Sequence, residues 1–168
     1  MIFVGKEGRW FHEGAEISHR PIFLWLIQNL EKDEAGRYLV HLNNQKCVLE
    51  VEDTPLVILG VDRNQSAPEE NEEILLTLND ERQEVLDPRT LWLSRENVLY
   101  GLVKDGQIPA RFLRAAYYQI AQIIEEDESG GFFLALNGQK FPIKPADRSE
   151  HPERMKIPPD PPLPKGGV

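Results

Sequence analysis

A single cysteine, Cys47, stands in the whole chain, which excludes an intramolecular disulfide and any zinc site built on several thiolates. It falls in a strand-like run, where a buried, inert thiol is the ordinary outcome. Basic residues are in deficit: 19 Lys and Arg stand against 28 Asp and Glu, a formal charge of -9. That balance opposes the phosphate backbone of nucleic acid and the anionic face of a membrane unless cations cluster locally, and they do not. Neither is an expected partner. No stretch approaches the roughly 18 apolar residues of a membrane span, and "MIFVGKEGRW" has no apolar core of a secretion signal. The expected location is the cytoplasm. Walker loops and Gly-x-Gly-x-x-Gly fingerprints are missing too, and no cofactor is expected.

What the chain does have is a repetition. "DEAGRYLVHLNNQK" (Asp33 to Lys46) and "DESGGFFLALNGQK" (Asp127 to Lys140) agree at seven of fourteen positions, and most others keep their chemical type. Before the first copy, Ile22, Phe23, Leu26, Ile27 and Leu30 recur at three and four, which predicts an amphipathic helix from Pro21 to Lys32. Before the second, Phe112, Leu113, Ala116, Tyr117, Ile120, Ile123 and Ile124 predict a longer one from Pro109 to Glu126. Each repeat alternates like a strand, "RYLVHL" and "GFFLAL", then reaches Asn43-Asn44 or Asn137-Gly138. These residue types enter positive φ cheaply and predict tight type I′ hairpins. "GRWFHEG" and "NVLYGLVKDG" read as a strand and turn feeding each helix.

The expected fold is α+β, an internal duplication of a strand-helix-β-hairpin unit with mostly antiparallel sheets. The boundaries read as 1–62 for the first unit, 63–96 for connecting loop and strands, 97–145 for the second unit, and 146–168 for an extended tail rich in proline and charge.

"WFHEGAEISHR" from Trp10 to Arg20, "LEVEDTPLVI" from Leu49 to Ile58, and "GGFFLALNGQKFPI" resemble an uncharacterised bacterial family, domain of unknown function 1285 (DUF1285). The resemblance runs from about Gly8 to Ile143. It implies a duplicated α+β core whose second half is superficially like pleckstrin-homology folds, and a signalling or binding role. It brings no catalytic residues.

Chemistry-bearing candidates stand on their own. His12, Glu13, Glu16 and His19 are metal-ligand types within eight residues, yet they lack the His-Glu-x-x-His spacing, and Gly14 scatters them over a turn. Asp62, Asn64, Ser66 and Glu73 match places in a calcium-loop template, but Ala67 replaces the glycine its sharp turn needs. Ser18 beside His19 suits the start of a helix better than a nucleophile. Glu52-Asp53 are neighbours on a strand, pointing to opposite faces, and capping before Pro55 explains them. The tail's Pro161 to Pro164 fits a PxxP ligand, although polyproline conformation needs no partner.

Three features point to binding. Arg20 and Arg114 are equivalent in the repeat, and Arg111 lies one helical turn before Arg114, so the arginines are placed to line a groove between units. Trp25 lies off the main apolar stripe of its helix and must bury against something, the other repeat first and a dimer mate next. The sequence therefore reads as a non-enzymatic binding or regulatory protein whose site uses Arg20, Trp25, Arg111 and Arg114. Its partner would be a protein or a small anionic ligand. The alternative is a small metal-assisted hydrolase using His12 and His19.

Overall fold

The computed structural model describes residues 1–64 and 71–145. The proline-rich tail and the middle of the acidic loop after Asn64, with Ser66 of the calcium-loop reading, lie outside the described residues. The chain is mostly β with two helices on mixed sheets, an α+β architecture.

The first half runs β1 (Ile2–Val4), β2 (Trp10–His12), β3 (Ala15–Glu16), α1 (Arg20–Gln28), β4 (Glu31–Lys32), β5 (Tyr38–Leu42) and β6 (Gln45–Val51). A middle segment supplies β7 (Leu56–Asn64), β8 (Glu73–Leu78) and β9 (Gln83–Val85). A 3-10 turn at Pro88–Thr90 then leads to β10 (Trp92–Leu93), β11 (Leu99–Val103), β12 (Ile108–Phe112), α2 (Arg114–Ala121), β13 (Ile124–Glu126), β14 (Phe132–Leu136) and β15 (Gln139–Pro145).

The six-stranded sheet has the order β4-β5-β6-β1-β2-β3, and the nine-stranded sheet has β13-β14-β15-β10-β11-β12-β7-β8-β9. In each half the first strand lies parallel to the last, β1 beside β6 and β10 beside β15, while other neighbours within the half are antiparallel. The helices begin 94 residues apart, at Arg20 and Arg114.

Alternation builds both sheets. Ile2, Val4 and Trp10 turn into the core beneath Phe23, Leu26 and Ile27 of α1, while Phe3 and Phe11 face the other way. Ile108, Ala110 and Phe112 enter the same core beside Ala116, Tyr117 and Ile120 of α2, with Pro109 and Arg111 on the far face. One apolar core thus joins the halves. On the far face of β10–β11, Trp92 stacks on Tyr100 at 5.2 Å beside Val98.

Both helices are shorter than the apolar spacing predicts. Glu31–Lys32 pairs with Tyr38 and Leu39 instead of extending α1, and Asn29 ends that helix. Residues Ile108–Phe112 form a hairpin with β11, and Ile124–Glu126 pairs with β14. The acidic Gly turns, Asp33 to Arg37 and Asp127 to Gly131, close β-hairpins rather than follow helices. A boundary at residue 62 falls inside β7, since the chain leaves the first sheet at Val51 and Leu56–Asn64 joins the second. The two tight turns form as read: φ is 51° and 65° at Asn43 and Asn44, and 53° and 76° at Asn137 and Gly138.

Candidate functional site

The seam between the first half and β7 is held by buried polar groups. Gly8, in the β1–β2 turn, lies so close to β7 that a Cβ would come within 2.6 Å of Val57 Cγ2. Asn79, following β8, ties both sides. Its Oδ1 accepts from Val57 N at 3.1 Å, and its Nδ2 donates to Gly8 O at 3.2 Å. Next to it the fully buried Asp80 accepts from Lys104 Nζ at 2.7 Å, while Gln28 Nε2 of α1 donates to Asp80 O at 3.0 Å. Orphaned groups here would each cost about 1–3 kcal/mol, so pairing them fixes how the parts meet.

Just past this rivet β7 carries a bulge between Ile58 and Gly60. The extra residue, Leu59, leaves the ladder and stays 41% exposed. Bulges re-aim side chains in this way. On the other edge of β7, past the end of β12, Val61 N donates to Gln119 Oε1 of α2 at 2.7 Å. Leu59 is aimed into a crevice of about 270 Å³ with Trp10, Glu16, Ile17, Arg20 and Phe23 among its walls. Trp10 stands edge-on to Phe23 at 6.1 Å, and its wholly buried indole N–H has no acceptor among the described residues. Arg20 packs its guanidinium over Phe23 at 5.3 Å and pairs with Glu81 at 3.1 Å, both side chains about half exposed. Such a pair contributes little to stability and leaves the cation exchangeable.

Of the four arginine and tryptophan positions singled out above, only Arg20 lines this crevice. Trp25 is 53% exposed on the outer flank of α1, beside the equally exposed Ile22. Arg114 is exposed at the start of α2, with no ion pair among the described residues. Arg111 lies on β12, facing away from α2, where Nη1 donates to Asp53 Oδ2 at 3.0 Å. Tyr100 donates its hydroxyl to the same oxygen at 2.8 Å. Glu52 accepts from Lys6 N, and Thr54 Oγ1 bonds Arg111 N and Leu56 O, so "VEDTP" fastens the crossing between sheets. His12 ends β2 with Nε2 3.9 Å from Glu13, and His19 precedes α1. Among the described residues no three His, Cys, Asp or Glu side chains come together to hold a metal.

Sequence reasoning missed Leu59, Trp10 and Asn79. A bulge has no local signature in "PLVILGV", and a tryptophan on a strand reads simply as core. Asn79 stands in "NDE", a residue run that by itself suggests only a hairpin turn.

A second hollow, about 500 Å³, opens on the far face of the first sheet beside Phe3, Phe11, Met1 and Glu13. Phe3 pairs with Phe11 across β1–β2 as Trp92 pairs with Tyr100 across β10–β11. The second pair is buried; the first is partly open.

No protein-family model and no curated protein matches the chain. Two solved structures do. A DUF1285 family protein from Silicibacter pomeroyi DSS-3 superposes with a TM-score of 0.68 at 19% identity, over 89% of this chain and 82% of its own. One from Shewanella baltica OS155 gives 0.59 at 18% identity, over 72% of this chain and 90% of its own. The chain has the fold of these DUF1285 proteins, in keeping with the resemblance carried by its motifs. No helix among the described residues is long and apolar enough to cross a membrane.

Proposed function

We propose that this chain is a cytosolic, non-enzymatic binding or regulatory protein built from two copies of one unit, with its ligand or partner site in the crevice where the first copy meets β7. The observation that carries this reading is the bulge at Leu59, which directs an apolar side chain out of the ladder into a crevice walled by Arg20 and by Trp10. The mixture suits an occupant with an apolar part and an acceptor or anionic group: Leu59, Ile17 and Phe23 supply apolar area, and Arg20 a loosely held cation. The matching strand orders of the two halves support the duplication. Arg111 acts in this reading as a fastener of the crossing segment, and Trp25 and Arg114 lie outside the crevice walls.

A thermal-shift screen of nucleotides, acyl-CoA esters, peptides and divalent metals on the full chain tests the proposal, since a ligand selective for the native state raises the melting temperature. The expected hit loses at least tenfold affinity with Arg20→Ala and with Leu59→Asp. A hit indifferent to both substitutions overturns the crevice site. Stoichiometric zinc lost with His19→Ala would instead favour the metal-assisted hydrolase using His12 and His19.

A further inference from the structure

In the second half β12 is not an edge, because β7 runs parallel beside it and α2 lies over β7. Two outward amides receive the incoming chain: Arg111 N donates to Thr54 Oγ1 at 3.2 Å, and Leu113 N donates to Ile58 O at 3.0 Å. The flank of α2 with Ala116 and Gln119 closes on β7, Ala116 fully buried and Gln119 bonded to Val61 N.

The first half has the same places without the strand. Glu16 faces Phe11 across β2–β3 as Arg111 faces Tyr100 across β11–β12, and His19 precedes α1 as Leu113 precedes α2, with one more residue between the two positions than in the second half. β3 ends its sheet. Ile17 N donates to Trp10 O at 2.8 Å, so the alternation of an antiparallel ladder turns the N–H and C=O of Glu16 outward. The described residues supply no acceptor for the amides of Glu16 and His19. The flank of α1 that corresponds to Ala116 and Gln119 carries Ile22 and Trp25, each 53% exposed. A bare strand edge and a bare apolar flank thus lie where the second half holds β7.

We infer that this place receives an extended segment of a partner polypeptide, added as a strand parallel to β3 with alternate apolar side chains against Ile22 and Trp25. The inference rests on the crevice reading and deepens it, because Glu16, Ile17, Ser18 and Arg20 wall both the crevice and the entry to this slot. Main-chain bonds to Glu16 and, past the one extra residue bulged out between them, to His19 supply affinity, and the apolar flank selects the sequence. Charge narrows the partner. Arg111 meets Asp53, three residues ahead of Leu56, at 3.0 Å. Its counterpart Glu16 is exposed with no ion pair among the described residues. The incoming segment therefore carries Lys or Arg shortly before its apolar run. A second copy of this chain, with a formal charge of -9, brings net acid to an acidic edge and is disfavoured as occupant.

The probe is a synthetic peptide of residues 53–62 with Asp53→Lys, added to the full chain and followed by amide hydrogen exchange and chemical-shift mapping. Exchange at Glu16 and His19 should slow at least tenfold at saturation, with the Trp25 indole resonance displaced. Trp25→Asp, at an exposed position that tolerates polarity, should weaken the peptide at least tenfold, and the unsubstituted Asp53 peptide should bind less tightly. Shifts at Ser18 and Leu59 without protection at Glu16 and His19 would overturn strand addition while leaving the crevice occupied. No response up to about 1 mM peptide, a ceiling beyond ordinary specific affinities, overturns strand addition alone, since the ligand screen tests the crevice separately. Protection that grows with protein concentration in the absence of peptide makes the occupant a second copy and overturns the partner named here.

Discussion

Replacing Gly8 by alanine tests how tightly the first half is seated on β7. Gly8 has a φ of +88°, and an added Cβ would lie 2.6 Å from Val57 Cγ2 and 2.9 Å from Asn79 Nδ2. Gly14 has nearly the same conformation, φ +84°, with nothing within 4 Å of the added atom. Alanine at positive φ costs about 1 kcal/mol in either place. At Gly8 the close approach adds about 1–3 kcal/mol of overpacking. Displacing Asn79 also strips partners from Val57 N and Gly8 O, for roughly 1 kcal/mol more. Gly8→Ala should therefore cost about 3–5 kcal/mol and Gly14→Ala about 1 kcal/mol. The gap of at least about 2 kcal/mol is some thirtyfold in the folded-to-unfolded ratio, a large share of a typical domain's stability. Equilibrium urea unfolding at 25 °C, followed by tryptophan fluorescence, measures both midpoints, and an unchanged slope keeps the comparison between the same end states. Equal midpoints for the two variants would refute the argument, because the backbone term is common to both and only the seam distinguishes them.

Three further outcomes follow from the same geometry. Gly138→Val places a β-branched side chain at φ 76° and should cost about 1–3 kcal/mol, whereas Gly138→Asn should be mild, since Asn44 holds φ 65° in the matching turn; equal thermal shifts would contradict the type I′ assignment. Arg111→Ala leaves Asp53, 6% exposed, with the Tyr100 hydroxyl but without its cation, and should cost about 3 kcal/mol in denaturant unfolding, against less than about 0.5 kcal/mol for the exposed Arg114→Ala. The Asp127 carboxyl is held below its ordinary value of 3.8, chiefly by the Ser129 hydroxyl and then the Gly131 amide, and Asp33 is lowered chiefly by the Arg37 amide. A carboxyl depressed in the folded state stabilises fully above its unfolded pKa and loses that contribution as pH falls through the folded value. Melting temperature should thus drop below about pH 4, and Asp33→Asn with Asp127→Asn should flatten that acid limb; an unchanged limb would refute the turn's role.

The hairpin turns were legible because two adjacent residues at positive φ select Asn and Gly whatever the surroundings. The ends of the helices were not. Phe112 and Ile124 fit the helical spacing, yet both belong to strands, since three to five residues of β12 and β13 are too few for an alternating pattern to outvote the helix beside them. Long-range pairing was equally silent: nothing in "PLVILGV" says that β7 abandons the first sheet to lie beside β12. Of the expected site, Arg20 reached the seam because it begins a helix packed there. Arg111 did not join it because strand alternation, rather than a helical turn, sets its direction, and carries its guanidinium to Asp53.

Closing each half by laying its first strand beside its last has a cost in time. Ile2 on β1 meets Leu49 on β6, 47 positions later, and Trp92 meets Lys144 across a similar span. Pairings this distant must pay chain-closure entropy before they return anything, and proteins dominated by them fold slowly, in milliseconds to seconds. During synthesis at about 5–20 residues per second, the newborn N-terminal hairpin waits roughly 2–10 seconds for its neighbour to leave the ribosome. Throughout that wait the edge of β1 that Leu49 to Val51 will occupy has no strand beside it. The open edge of β1 is therefore where a nascent-chain chaperone would find its grip, and where a slowed or interrupted translation would do most harm.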